Sequence, residues 1–434
     1  MAQFKGSAKN RRRLEYSVIR SFFAATIMAA FSLCPAFSGG GAPVVSLIGR
    51  WDGFTGNYAD IWADGDYAYL AHFLAPSIDI LDISDPANPT LVMRYDLMPP
   101  NTSSSAQDVK TGDGLLFIGL ESNGNAVHIV DIRDPENPVG LVDIAITNFN
   151  SIHNVFYDQG YLYIADSDSP RVGIVDLTGF DPDNPPGSPI DTLLWEMTGV
   201  GSSIVHDITV VNNRLYACAW NSGIWIYDVA DVANQPPVFL GSGPGNSTHS
   251  AWPTDDGRFV ITGEERTLGG IKVYRIDESE GGSALTLTLV DEEVLSINEA
   301  SSVHNQVTIG NRVYNSWYGA GMRIYDVDPI TGLLSFYAGF DNNETNSVWG
   351  VYPFLGTDRI LISDIGSGLF VLDLSTTSAD LNGDQVLNVL DMSLLVGNYG
   401  TCSGSCPFDL DANDRVDVDD LMVLMDCWGQ ESPN

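Results

Sequence analysis

Basic side chains are scarce in this sequence. Its 434 residues hold 20 lysines and arginines against 56 aspartates and glutamates, a formal charge of −36. Nucleic-acid phosphates need a basic face, so nucleic acid is not an expected partner. Long apolar runs are also missing. Beyond "FFAATIMAAFSL" (22–33) no segment is apolar for long enough to cross a bilayer, so no transmembrane segment is expected in the mature chain. Enzyme motifs are absent as well: there is no Gly-x-Ser-x-Gly elbow, no His-Glu-x-x-His pair and no phosphate-binding glycine loop. Cysteine is rare, with five in all. Cys218 stands alone in an apolar strand and reads as a buried small hydrophobe. Cys402, Cys406 and Cys427 crowd the C-terminus, where an oxidising compartment would allow one local disulfide, most simply Cys402 with Cys406.

What is present begins with an export leader. Lys5, Lys9, Arg11, Arg12, Arg13 and Arg20 precede the apolar stretch, and "AFS" (36–38) offers small residues for cleavage. Residues 1–38 are thus expected to be a signal peptide, removing Cys34 with them, and the mature chain to be secreted or held at the cell surface. Taking six basic and one acidic residue from 20 and 56 leaves 14 and 55. Such a chain is a sink for cations.

Self-similarity is the strongest signal that remains. One element recurs as "IDILDI" (78–83), "VHIVDI" (127–132), "VGIVDL" (172–177), "IWIYDV" (224–229), "IKVYRI" (271–276), "MRIYDV" (322–327) and "LFVLDL" (369–374). The fifth position is Asp in every copy but one, Arg275, and successive copies lie 45 to 52 residues apart. A short apolar strand and a Gly/Asn/Asp turn precede each copy, with a further strand ahead of that turn. Proline-rich turns such as "SDPANP" and "RDPENP" follow the first copies and lead into a fourth strand. No helical period interrupts them. Four strands per unit and seven units predict an all-β, seven-bladed β-propeller over residues 43–374. The seventh unit lacks a fourth strand, while "PVVSLIGRW" (43–51) is a fourth strand with nothing before it. The N-terminal strand should therefore close the last blade.

The stretches "IDILDISDPANP" and "VHIVDIRDPENP" resemble the LVIVD repeat family, whose members are extracellular or surface propellers. That resemblance implies a fold and a location, and very little chemistry.

After a short linker (375–379) the pattern changes to two acidic twelve-residue loops, each running into an apolar helix-length segment. Asp380, Asn382, Asp384, Asn388 and Asp391 occupy positions 1, 3, 5, 9 and 12 of the first loop. Asp409, Asp411, Asn413, Asp417 and Asp420 do so in the second, and the position-7 carbonyls belong to Val386 and Arg415. These are EF-hand-type oxygen positions, so two calcium ions are expected. Position 6, which favours glycine for its sharp turn, holds Gln385 and Asp414. The two copies, 29 residues apart, resemble a type I dockerin module across 380–430, which implies a small α-helical calcium-binding domain and a cohesin-like or other cell-surface protein as partner.

Four histidines, His153, His206, His249 and His304, open the innermost strand of units three to six, where the other units hold Ala59, Gln107 and Trp349. They can each bond the turn of their own blade. Alternatively, they converge at the channel mouth and ligate a transition metal. Asp60, Asp108, Asn154, Asp207 and Asn305 follow one position later and could orient the rings. Strict strand alternation would keep each histidine and its neighbour from both facing the channel. The expected role is binding or scaffolding in an extracellular complex, with the calcium module as attachment plug. The alternative is a metal-dependent hydrolase or oxidoreductase with a histidine-lined channel site.

Overall fold

A computed structural model describes residues 41–53, 56–97, 104–121, 126–149, 151–190, 193–279, 281–282, 284–296, 302–341, 347–378, 381, 389–401, 408–410 and 415–427. The expected leader (1–38, with Cys34) and the side chains of Cys402, Cys406 and Cys427 lie outside the described residues.

Seven four-stranded antiparallel sheets form the larger unit, Pro43–Ser375. Their innermost strands are Tyr58–Asp64, Ser105–Gly112, Ile152–Asp158, Asp207–Val211, Thr248–Pro253, Ser302–Ile309 and Val348–Tyr352, which define blades I to VII. Each innermost strand packs against that of the next blade, and blade VII returns to blade I, so the ring is closed. In blade VII the order is Gly41–Trp51, Gly368–Ser378, Ile360–Asp364, Val348–Tyr352. The N-terminal strand is its outermost member, as the sequence predicted. Chain ends that share a sheet tie the ring shut by pairing of high sequence separation.

The repeated aspartate has a local reason. Asp82, Asp131, Asp176 and Asp228 each accept a hydrogen bond from the backbone N–H two residues on, at 2.8–3.0 Å. This shapes the exit turn from the third strand. The proline-rich turn continues the pattern. Asp85 accepts from the Ala87 N–H and the Asn88 amide, and Asp134 from Glu136 and Asn137. Arg275 cannot accept such a bond, and pairs with Asp277 instead.

The core lies between blades. Tyr163, Val172 and Ile174 of blade III bury against Ile208, Leu215 and Ala217 of blade IV, and Leu115, Phe117 and Ile129 of blade II against Val155, Leu162 and Ile164 of blade III. Each fully buried side chain of this size stabilises by about 1.5–3 kcal/mol relative to exposure. Cys218 is 1 % exposed, a small apolar residue of this core.

Six blades carry a β-bulge near the start of the innermost strand: the register shifts between Tyr58 and Ile61, Ala106 and Asp108, Ile152 and Asn154, Thr248 and Ser250, Val303 and Gln306, and Val348 and Gly350. A bulge adds one residue to one strand and breaks the two-residue alternation. Blade IV has none, its inner strand starting at Asp207 just after His206; in blades III, V and VI the bulge falls on the histidine and its neighbour, so both reach the centre of the ring in successive layers. The alternation expected from sequence is therefore incorrect at this place.

Described by itself, the C-terminal unit has helices α1 (Val389–Gly397) and α2 (Val418–Cys427), which pack on one another. Gly400–Thr401 pairs antiparallel with Arg415–Val416. Leu395, Leu410, Val416 and Leu424 form a small buried core.

Candidate metal centre

The four histidines, three at bulges and His206 just ahead of its strand, lie as neighbours around an arc. Ring centroids are 3.9 Å apart for His153–His206, 4.3 Å for His206–His249 and 4.1 Å for His249–His304. His249 is 0 % and His304 2 % exposed, at the floor of the mouth. Among the described residues, two groups have ligand atoms mutually within 4.8 Å: His153, His206 and His249, and His249, Glu265 and His304. Aromatic rings frame the arc. Trp220 stacks on His206 at 4.8 Å, and Tyr318 and Trp349 lie 4.9 and 4.5 Å from His304. Trp220 has a φ of 47°, the left-handed region that a bulky residue rarely adopts. Its carbonyl is pinned there by the N–H groups of Gly223 and Thr248. Such backbone strain costs on the order of 1–3 kcal/mol and concentrates at functional sites.

Two of the rings are oriented by partners that the sequence reading did not single out. His153 Nδ1 and Glu121 Oε1 are 2.8 Å apart, and Glu121 is held by the Ser167 hydroxyl and the Gln107 amide. His304 Nδ1 donates to the Trp349 carbonyl at 2.8 Å. Both rings are thus left with Nε2 for a ligand. Metal-binding histidines are oriented in this way by a carboxylate or a carbonyl on the other nitrogen. By contrast, Nδ1 of His206 and both nitrogens of His249 are buried with no hydrogen-bond partner among the described residues. Asp207 approaches His249 Nδ1 to 3.7 Å and His206 Nδ1 to 3.9 Å, too far for a hydrogen bond. At these distances it does not orient either ring as expected.

Burial, then the neighbouring imidazoles, hold His206 and His249 well below the usual histidine range, and burial takes His304 to about 3. At neutral pH these three are lone-pair donors. Burial would lower His153 too, but the hydrogen bond and charge of Glu121 prevail and raise it to about 9. Glu121 falls to about 2, because His153 and Ser167 outweigh its own burial. A bound metal would take the place of the His153 proton. Burial lifts Asp207 and Glu265 to about 7. The chemistry of this donor set, imidazole nitrogens with carboxylates, suits zinc, copper, iron or nickel.

Below the rings the channel is lined by polar side chains that bond one another. Lys110 Nζ donates to Asp60 at 2.8 Å and Asp108 at 2.5 Å, all three buried, and Asn305 also bonds Asp60. Asp60 and Asp108 therefore hold a lysine and not the imidazoles, a second correction to the orienting role. Asn154 accepts from the Ile208 N–H and locks blade III to blade IV. Gly350 leaves room here, since a Cβ at this position would sit 2.8 Å from Asp60 Oδ1. The cavity here is about 30 Å³, room for one or two waters.

In the C-terminal unit, Asp391, Asp409, Arg415, Asp417 and Asp420 are described, whereas Asp380, Asn382, Asp384, Val386, Asn388, Asp411 and Asn413 lie outside the described residues. Position 12 is equivalent in both loops. Asp391 and Asp420 are each 0 % exposed and accept from the N–H of position 2, Leu381 (2.9 Å) and Leu410.

Glu121 and Glu265 had a sequence signal of a kind. Glu121 ends the second strand of blade II and Glu265 directly follows that of blade V, at the strand end where His72, Asp166, Glu264 and Asp364 also fall. In three of those cases the side chain latches its own blade: Asp166 caps Ser151 and Asp168, Asp364 caps Ser347 and Gly366, and Glu264 binds Lys272. Only coordinates separate the latches from the two that reach the mouth.

The family model for the LVIVD repeat matches residues 55–97, which contain blade I. No curated protein sequence matches the chain. Among solved structures, a Bacteroides fragilis protein provisionally described as a 6-phosphogluconolactonase is similar at 12% identity and a TM-score of 0.54, over 70% of this chain and 95% of that one. The C-terminal WD40 domain of Sif2 is similar at 11% identity and 0.53, over 77% and 99%. The WD40 repeats of RRP9 follow at 9% and 0.56, also over 77% and 99%. Identities this low carry the fold alone. The chain is a seven-bladed β-propeller that carries an LVIVD repeat in its first blade.

Proposed function

We propose that this chain is an exported binding propeller that presents a transition-metal centre at its channel mouth and attaches to a larger extracellular assembly through a calcium-folded tail. One observation carries the metal reading: adjacent imidazoles lie in ring contact, with the nitrogens of His249 and one of His206 buried and unpaired. Buried polar atoms left unpaired cost about 1–3 kcal/mol each, and a metal ion removes that cost. The same acidity that repels nucleic acid draws cations to the mouth. The tail reading is supported by the two loops, whose last carboxylates are buried and bonded alike. Its partner would be a cohesin-like or other cell-surface protein.

A second reading, a metal-dependent hydrolase or oxidoreductase, is favoured by Glu265 and Asp207. Both stand near pH 7 beside the imidazoles, as general acid–base groups do. Cobalt titration tests the shared premise. The chelator-stripped chain should develop visible ligand-field bands as Co²⁺ enters, and His206→Ala should weaken binding by at least tenfold. Identical titrations of the two proteins would remove the metal from the proposal.

A further inference from the structure

We propose that the mouth holds two transition-metal ions and that His249 bridges them. The inference rests on the metal reading above and deepens it.

Four imidazoles invite a single four-histidine site, and the distances do not allow one. Two nitrogens bound to the same zinc are at most about 4.2 Å apart, twice the Zn–N bond. Even at 4.8 Å, no choice of ligand atoms unites His304 with His153 and His206. The donors fall instead into two sets of three, and His249 belongs to both. The two nitrogens of His249 face different carboxylates. Its Nε2 is 3.7 Å from Glu265 Oε2, and Glu265 Oε1 lies 4.0 Å from His304 Nε2. Its Nδ1 is 3.7 Å from Asp207, which is also 3.9 Å from His206 Nδ1.

One ion is therefore assigned to His249 Nε2, His304 Nε2 and Glu265. The other is assigned to His249 Nδ1, His206 Nδ1 and His153, which offers Nε2 because Glu121 occupies its Nδ1. A buried imidazole with hydrogen bonds at neither nitrogen is hard to explain as a structural residue. As a bridge, both atoms have partners. Neutral His249 carries one N–H. When the second ion binds, that proton leaves to solvent, and the resulting imidazolate gives one lone pair to each metal. No electron changes hands in this step. Three protein donors per ion leave positions open for an external ligand, as in sites that do chemistry or bind an anion.

The test uses the full chain, stripped by chelator and reloaded with Cu²⁺ in calcium-containing buffer. Copper per chain is measured after desalting, together with the electron paramagnetic resonance signal. The expected result is two ions per chain with at least a fivefold loss of signal relative to copper content, because the imidazolate couples the two spins. Glu265→Gln or His304→Ala should leave one ion with its full signal, and His153→Ala should do the same from the other side. Glu265 is partly exposed, so its amide variant keeps the fold measurable if His304→Ala does not express. Two ions at full signal would overturn the bridge. One ion in the wild type, unchanged by Glu265→Gln, would overturn the second site and leave the proposed function standing. No retained ion would overturn both.

Discussion

Replacing Lys110 by methionine puts the architecture of the channel to a quantitative test. Lys110 is 7 % exposed, and its ammonium lies between the carboxylates of Asp60 and Asp108, residues each 4 % exposed, with the Trp62 ring 4.6 Å away. Methionine keeps most of the apolar stem and leaves Asp60 and Asp108 facing each other uncompensated. Breaking a buried pair from one side costs about 3–5 kcal/mol. At about 2.1 cal/mol/K per residue, residues 43–375 have an unfolding entropy of about 0.7 kcal/mol/K. The melting temperature should then fall by about 4–7 °C in calorimetry. Asp108 is already raised by burial. It should take up a proton more readily once the lysine is gone, so the loss should be larger at pH 8 than at pH 5. The triple variant Lys110→Met/Asp60→Asn/Asp108→Asn removes the charges together and should lose less than half as much. A single variant within about 1 °C of wild type, or a triple variant worse than the single, would refute the reasoning.

Other consequences concern separate parts of the molecule. In metal-free protein, His153, raised to about 9, contributes stability that is fully present below its unfolded value of 6.5 and lost as pH rises through 9. Glu121, lowered to about 2, contributes stability present above 4.5 and lost as pH falls through 2. The wild type should therefore exceed Glu121→Gln by on the order of 2–3 kcal/mol at pH 5–6.5, and the gap should close by pH 10, as denaturant titrations can read. Gly350→Ala drives a Cβ to 2.8 Å from Asp60 and 3.0 Å from Ser363 Oγ, and should cost about 1–3 kcal/mol by thermal melting. Deleting residues 41–51 removes the outermost strand of blade VII, and should broaden calorimetric unfolding and expose that blade to proteolysis; an unchanged transition would contradict closure by this strand. Chelating calcium should lower helical circular dichroism from the tail, and Asp391→Ala with Asp420→Ala should reproduce the loss in calcium-replete buffer.

The ring, its seven units and its closure were legible because a repeat states the same structure many times. The Asp of "IDILDI" and the Asp–Asn of "DPANP" each satisfy a local turn, so they recur wherever the turn recurs. The four histidines were legible as equivalent positions, and their contact follows from equivalence around a ring. What escaped was set by the bulge and by long-range pairing. No local pattern announces that Glu121 reaches His153 across 32 residues, or that Glu265 faces the mouth while Glu264 beside it binds Lys272. Nor does a lone lysine in "QDVKT" reveal that it neutralises an aspartate 50 residues away. Alternation was the wrong guide at the mouth, because a bulge changes which side a residue faces without changing its composition.

The most direct measurement of the central claim is anomalous X-ray diffraction from crystals of the full chain grown with a divalent transition metal, with data on both sides of its absorption edge. The account predicts anomalous peaks at the channel mouth within about 2.0–2.3 Å of His249 and its neighbouring donors. A clean mouth, with the imidazoles bonded to water and the metal elsewhere, would contradict it.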